Sequence, residues 1–188
     1  MTSDSDETLM LALAAGDDLA LNGLMDRWQV RLRGFIYRWT RNDADALDLA
    51  QETFLRVYQH RKRFRRGARF STWMFQIALN LARDRARWRR RHPTEPLESM
   101  AEPPNPIPQG SPAANPADSA LQAEKIAAVK SAIGGLPDEL REAVILFEYE
   151  EKSHAEIAAI VRATPKAVET RLYRARQILR NSLARYFV

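Results

Sequence analysis

The sequence predicts an all-α protein: two helical domains joined by a flexible Pro-rich linker. Apolar residues recur at helical spacing on both sides of residues 93–120, and no stretch alternates with the two-residue period of a strand. Eight of the ten prolines lie between His92 and Ala120, with Gly110, several Ser and Asn, and few large apolar residues. Such a composition cannot form a packed core, so 93–120 separates a domain over 1–92 from one over 121–188. Stretched, it could reach about 90–100 Å.

The elements follow in order. Residues 1–7 are polar. A helix is expected around Glu7–Ala15 and another around Leu19–Thr40, the second with Leu21, Leu24, Met25, Trp28, Leu32, Phe35, Ile36 and Trp39 on one face. Asn42-Asp43 breaks the pattern and can cap a helix over Ala44–Arg61. That helix is expected to bury Leu47, Phe54, Leu55 and Tyr58, with Asp45, Asp48, Gln51, Glu52 and Arg56 on its opposite face. After a loop in which Gly67 supplies a turn, a helix runs from about Phe70 to Arg91, capped by Ser71 or Thr72. Phe70, Trp73, Ile77, Leu81 and Trp88 mark its buried stripe; Thr72, Gln76, Asn80, Arg83 and Arg87 form a polar one.

In the second domain a helix through Ile126, Val129 and Ile133 stops at Gly134-Gly135. Pro137, Asp138 and Glu139 open the next, which carries Leu140, Val144, Ile145 and Phe147. Ser153-His154-Ala155-Glu156 is a capping box for a short helix through Ile157, Ile160 and Val161. Thr164 caps the last helix, with Pro165 at its first position, and Val168, Leu172, Ala175, Leu179 and Leu183 on its buried face. Two helices joined by a tight turn, the second long and basic, make a helix-turn-helix; from Lys166 onward there are six basic residues and one acid. Its recognition helix would enter the major groove by its N-terminal end.

Charge narrows the function. The 188 residues carry a formal net charge of +5, yet residues 1–26 hold six acids and no Lys or Arg. Between Arg56 and Arg91 thirteen Lys or Arg stand against one acid, Asp84. A solvated surface mixes signs, whereas such a bias is an electrostatic footprint for nucleic acid. Arg and Lys neutralise phosphates, and aromatic planes such as Trp73 stack on unpaired bases, although core packing would equally account for Trp73 and Phe75. The acidic face of the Ala44–Arg61 helix suits a basic partner; internal charge balance is its alternative. There are no cysteines, and His60, His92 and His154 lie far apart, so neither a thiolate nor a metal-ligand set is present. No phosphate loop or Ser/His/Asp set appears, so neither catalysis nor a cofactor is expected. No apolar stretch approaches twenty residues, and no basic signal region opens the chain, which predicts a cytoplasmic protein without membrane insertion.

These stretches resemble the bacterial RNA polymerase sigma factors, specifically the extracytoplasmic-function (ECF) group. Asp48-Leu49-Ala50-Gln51-Glu52-Thr53-Phe54 is similar to the family's core-polymerase-binding segment in region 2. Phe70-Ser71-Thr72-Trp73, with Ile77-Ala78-Leu79-Asn80 and Asp84, resembles its promoter-melting and −10-reading segment. Leu136–Arg141 and Ser153–Arg180 resemble region 4, which reads the −35 element. The resemblance implies a promoter-specificity subunit whose partners are core RNA polymerase, promoter DNA and an anti-sigma factor. It places core binding on Asp45, Asp48, Gln51 and Glu52. It places −10 DNA on Phe64, Arg65, Arg66, Arg69, Thr72, Trp73, Gln76, Asn80, Arg83 and Arg87, and −35 DNA on Lys166, Glu169, Thr170, Arg171, Tyr173 and Arg174. Two positions depart from the family. Arg162 stands where Gly usually bends the helix-turn-helix; a non-Gly residue with positive φ costs about 1 kcal/mol, so another turn form is expected. Glu169 stands where a base is usual.

A dimeric duplex-DNA regulator would use the second domain but leaves the aromatic, Arg-rich first domain unexplained. A nucleic-acid-processing enzyme would need clustered acids for a metal, and the acids here are scattered.

Overall fold

The computed structural model describes residues 5–92 and 116–186, all of whose regular elements are helical. Helix α1 is Asp6–Ala15, α2 Ala20–Thr40, α3 Asp43–Gln59 and α4 Phe70–Arg91. Then come α5 (Pro116–Gly134), α6 (Asp138–Val144), α7 (His154–Val161) and α8 (Pro165–Leu183). Helix α5 starts at Pro116, so residues 116–120, expected in the linker, are helical; residues 93–115 lie outside the described residues.

Helices α1–α4 pack around one core. Phe35 meets the edge of Phe75 at 4.8 Å between ring centroids, and Trp28 sits edge-on to Phe75 at 5.9 Å and to Phe70 at 6.2 Å. Offset and edge-to-face rings at such distances add to the apolar burial itself. The acidic N-terminal helix is part of this core, because Met10 and Leu13 are fully buried. Its acids fix its place: Asp6 accepts hydrogen bonds from Arg27 and from the Trp28 indole N–H. The Glu7 carboxylate accepts from the Phe70 backbone N–H at 3.2 Å, so α4 is capped from α1. The expected cap by Ser71 or Thr72 is therefore corrected. Arg69 occupies the cap position without a side-chain bond, and a distant acid satisfies the free N–H instead.

Two buried stripes also need correction. In α3 the core takes Ala46, Leu49, Ala50, Thr53, Phe54 and Val57, while Leu47 and Leu55 remain 46% and 48% exposed. In α4 the stripe is Phe70, Met74, Phe75, Ala78, Leu79 and Ala82; Trp73, Ile77 and Leu81 only flank it, and Trp88 is exposed. Small residues let helices approach closely, so the buried faces run through Ala and Thr rather than through the largest side chains.

The helix-turn-helix forms with both expected caps. Thr164 Oγ1 accepts from the Ala167 N–H at 3.1 Å, and the Ser153–Glu156 capping box closes in both directions. Arg162 adopts φ 57°, ψ 52°, so the left-handed bend is kept without glycine, contrary to the expected alternative turn. Its side chain is exposed and the Ala163 N–H reaches the Ala158 carbonyl at 2.9 Å, so only backbone strain opposes it. Arg162→Gly should raise stability by about 0.5–1 kcal/mol, read as a higher thermal midpoint.

Candidate nucleic-acid interface

The basic loop before α4 is shaped by one turn. The Ala68 N–H donates to the Arg65 carbonyl at 3.1 Å and Gly67 sits at φ 83°, which turns Arg65, Arg66 and Arg69 outward. Phe64, expected among the DNA-contacting residues, is instead buried and tilts against the Trp73 ring at 5.5 Å between centroids. It supports Trp73 from below, and Trp73 is the aromatic left half-exposed.

Arg69, Thr72, Trp73 and Gln76 line one side of an open cleft of about 480 Å³ between α4 and α7. The Thr72 hydroxyl is buried with no hydrogen-bond partner among the described contacts. Ala155, Glu156 and Ala159 form the other wall. Arg69 lies 3.4 Å from Glu156, and the Gln76 amide donates to the Ala159 carbonyl at 3.4 Å. Asn80 is half-buried further along the same helical stripe. Arg83 is engaged by a forked pair: its Nε and Nη2 donate to the two Glu142 carboxylate oxygens at 2.7 and 2.5 Å. Glu142 is 1% exposed, and its hydrogen bonds raise the already high pKa of the guanidinium further. Arg87, at the exposed end, pairs with Asp84.

Other contacts hold the two helical units together. Arg31 donates from Nε to a Glu150 carboxylate oxygen at 2.7 Å and from Nη2 to the Glu150 carbonyl at 3.0 Å; Arg38 stands 3.7 Å from that carboxylate and over the Tyr149 ring. Burial pushes the Glu150 carboxyl above its usual range, against the pull of these two guanidiniums. Lys152 crosses the other way, donating to Ser71 Oγ at 2.7 Å, and burial lowers its ammonium pKa. Arg141 donates to the Trp39 carbonyl at 3.2 Å.

The outer face of α3 presents Asp48 and Gln51, exposed, and Glu52, which pairs with Arg56 one turn on at 2.7 Å. Asp45 does not belong there. It is 3% exposed and accepts from Arg85 at 2.6 Å and Arg89 at 2.8 Å, so it ties α3 to the basic end of α4. Beside Gln51 the sequence reasoning missed an apolar groove of about 560 Å³ between α2 and α3, whose lining includes Met25, Val30, Leu47, Phe54 and Leu55. The signal was available: Leu47, Gln51 and Leu55 are spaced by four and form one line beside the buried stripe.

On α8, Lys166, Glu169, Thr170, Tyr173 and Arg174 are exposed together. Lys166 Nζ donates to Glu169 at 2.8 Å, and this bond holds the Glu169 carboxyl below its usual pKa. Arg171 is corrected out of the group, because it turns inward to Glu139 on α6 at 2.9 Å.

Residues 24–92 match a family model described as Sigma-70 region 2, and residues 126–179 one described as Sigma-70, region 4. The chain is 31% identical to the RNA polymerase sigma-H factor of Pseudomonas aeruginosa, over 97% of this chain and 96% of that protein. It is also 31% identical to the ECF RNA polymerase sigma-E factor of Haemophilus influenzae, over 95% of each. Among solved structures, CnrH in complex with the cytosolic domain of CnrY aligns with TM-score 0.72 and 28% identity, over 96% of this chain and 98% of that one. The sigma factor RpoE of Bartonella quintana, solved with the anti-sigma factor NepR, shares the fold at TM-score 0.66 and 24% identity, over 87% of this chain and 96% of that one.

Proposed function

The chain belongs to the ECF group of sigma-70-type RNA polymerase sigma factors, and from that premise we propose which surface does which part of the work. A sigma factor brings promoter recognition to RNA polymerase and leaves catalysis to the enzyme it joins. Residues 1–92 form the domain for polymerase and −10 DNA, 93–120 the linker and 121–188 the −35 domain, with the helix of that last domain extending back to Pro116. The outer face of α3 binds core polymerase through Asp48, Gln51 and Glu52, with Leu47 and Leu55 as apolar contacts beside them. Arg65, Arg66 and Arg69 follow the backbone of the opened −10 strand, while Trp73 supplies a stacking plane. Thr72, Gln76 and Asn80 supply polar groups for bases, and Arg83 and Arg87 neutralise phosphates. Lys166, Glu169, Thr170, Tyr173 and Arg174 face the −35 duplex. Among the described residues no helix is long and apolar enough to cross a membrane. We place the protein in the cytoplasm, beside polymerase, with an anti-sigma factor as its regulator, as CnrH and RpoE were each captured with such a chain or its cytosolic part.

The observation that carries the −10 assignment is the pairing of a half-exposed Trp73 with an unpartnered Thr72 hydroxyl in a cleft edged by Arg69. Flipping a base out of the stack costs a few kcal/mol, and a planar, hydrogen-bonding pocket offsets that cost. Mixing the full chain with purified core polymerase tests the function: co-elution and promoter-dependent transcripts are expected. DNA binding without polymerase binding would instead favour a free-standing regulator. Exchanging residues 65–69 for another member's loop should change which −10 bases are preferred. A uniform fall in affinity would reduce the loop to an electrostatic contact.

A further inference from the structure

The contacts between the two helical units have one sign. Arg31–Glu150, Arg38–Glu150, Arg69–Glu156, Arg83–Glu142 and Arg90–Asp138 each take the cation from the first unit and the carboxylate from the second. Glu142 and Glu150 are the deepest of these acids, at 1% and 2% exposure, and a buried carboxylate persists only where cations and donors satisfy it. The Glu142 fork on Arg83 has the geometry with which a guanidinium also grips phosphate. Arg69, Gln76 and Arg83 are also the side chains assigned above to −10 DNA. Each is engaged by the second unit, and α7 faces α4 across the cleft that holds Thr72 and Trp73. DNA and the second unit cannot hold these groups at the same time.

We propose that the −35 domain is a built-in competitor for the −10 face. Glu142 and Glu156 occupy Arg83 and Arg69 as phosphates would, Glu150 on Arg31 and Arg38 keeps the domains shut, and the chain must open at this seam before α4 can take single-stranded DNA. The inference rests on the −10 assignment, and it makes the free chain self-occluded without any second protein. It also gives Glu142 and Glu150 a reason to be buried facing arginines that solvent could otherwise hydrate.

The test uses the full chain carrying Glu142→Gln and Glu150→Gln, with circular dichroism confirming its fold. Small-angle scattering should show a larger radius of gyration than the parent's. Anisotropy with a labelled mixed-sequence single strand of about 12 nucleotides should show roughly tenfold tighter binding. As a second arm, Ala68→Cys and Ala155→Cys line opposite walls of the cleft in a chain that has no other cysteine. A short reductant-cleavable bis-thiol cross-linker should abolish binding of the strand, and reduction should restore it. A folded double-Gln chain with the parent's radius overturns the proposal, as does an opened chain with the parent's affinity or a cross-linked chain that binds as well as the reduced one. Arg65→Ala/Arg66→Ala separates the underlying assignment, since that loop makes none of the seam's ion pairs. If this variant binds as tightly as the parent, the −10 assignment fails, and scattering still judges the seam.

Discussion

The chain carrying Asp48→Lys and Glu52→Lys should fail to co-elute with core RNA polymerase while its helical content matches the parent's. Asp48 is exposed on α3, and Glu52 has only Arg56 as an ion-pair partner, so neither carries the fold. Reversing Glu52 places Lys beside Arg56 at one helical turn, a like-charge pair that costs about 0.2–0.5 kcal/mol. Against a basic partner surface each reversal turns an attraction into a repulsion, and such juxtapositions cost several kcal/mol. The loss at the interface therefore exceeds the loss of stability by nearly an order of magnitude. The same variant separates the two elements of the face, because Leu47→Ala/Leu55→Ala should weaken binding with no change in its salt dependence. Normal holoenzyme formation by the doubly reversed chain would remove α3 from the polymerase-binding surface.

That experiment turns on a side chain the sequence alone misplaces. Asp45 shares a helix with Asp48 and Glu52, and spacing puts it near them. Only the packing of α3 against α4 shows that Arg85 and Arg89 enclose it. Ion pairs between distant elements leave no periodic trace, so Asp45, Arg83–Glu142 and Arg31–Glu150 were beyond reach of pattern reasoning. Caps and turns were the opposite case. Asn42, Ser153, Thr164 and Pro165 act within three or four residues of themselves, and all four mark helix starts as read. The buried stripes fall between these extremes. Leu47 and Leu55 look like core by size, but the face that meets α2 and α4 is the one carrying Ala46, Ala50 and Thr53, where close approach matters more than side-chain volume. Phe64 and Trp73 show the same limit: which aromatic stays open depends on the turn at Gly67 and on the ring beneath it.

Glu169→Gln should leave the fold intact and relax base choice at one −35 position. Helix α8 has its cap at Thr164 and no acid in its first turn, and Glu169 lies beyond that turn, where the helix dipole has largely faded. Its partner in the structure is Lys166, at 2.8 Å on an exposed face, and the bond keeps the carboxylate charged. A charge held this close to DNA phosphates repels them unless it accepts a hydrogen bond from a base, and the N4 amino group of cytosine is the donor that fits. With Arg171 turned inward to Glu139, the exposed group around it narrows to Lys166, Thr170, Tyr173 and Arg174. Glu169→Gln should therefore cost roughly tenfold or more in discrimination for cytosine at a single position, since a good base contact is worth that much. Arg174→Ala should act differently, lowering affinity for all sequences and reducing the salt slope by about one if its partner is a phosphate. Melting temperatures measured on the same samples separate recognition from local helix support. A Glu169→Gln chain that melts earlier yet ranks the four bases as the parent does would assign the carboxylate to its ion pair with Lys166 and not to the DNA.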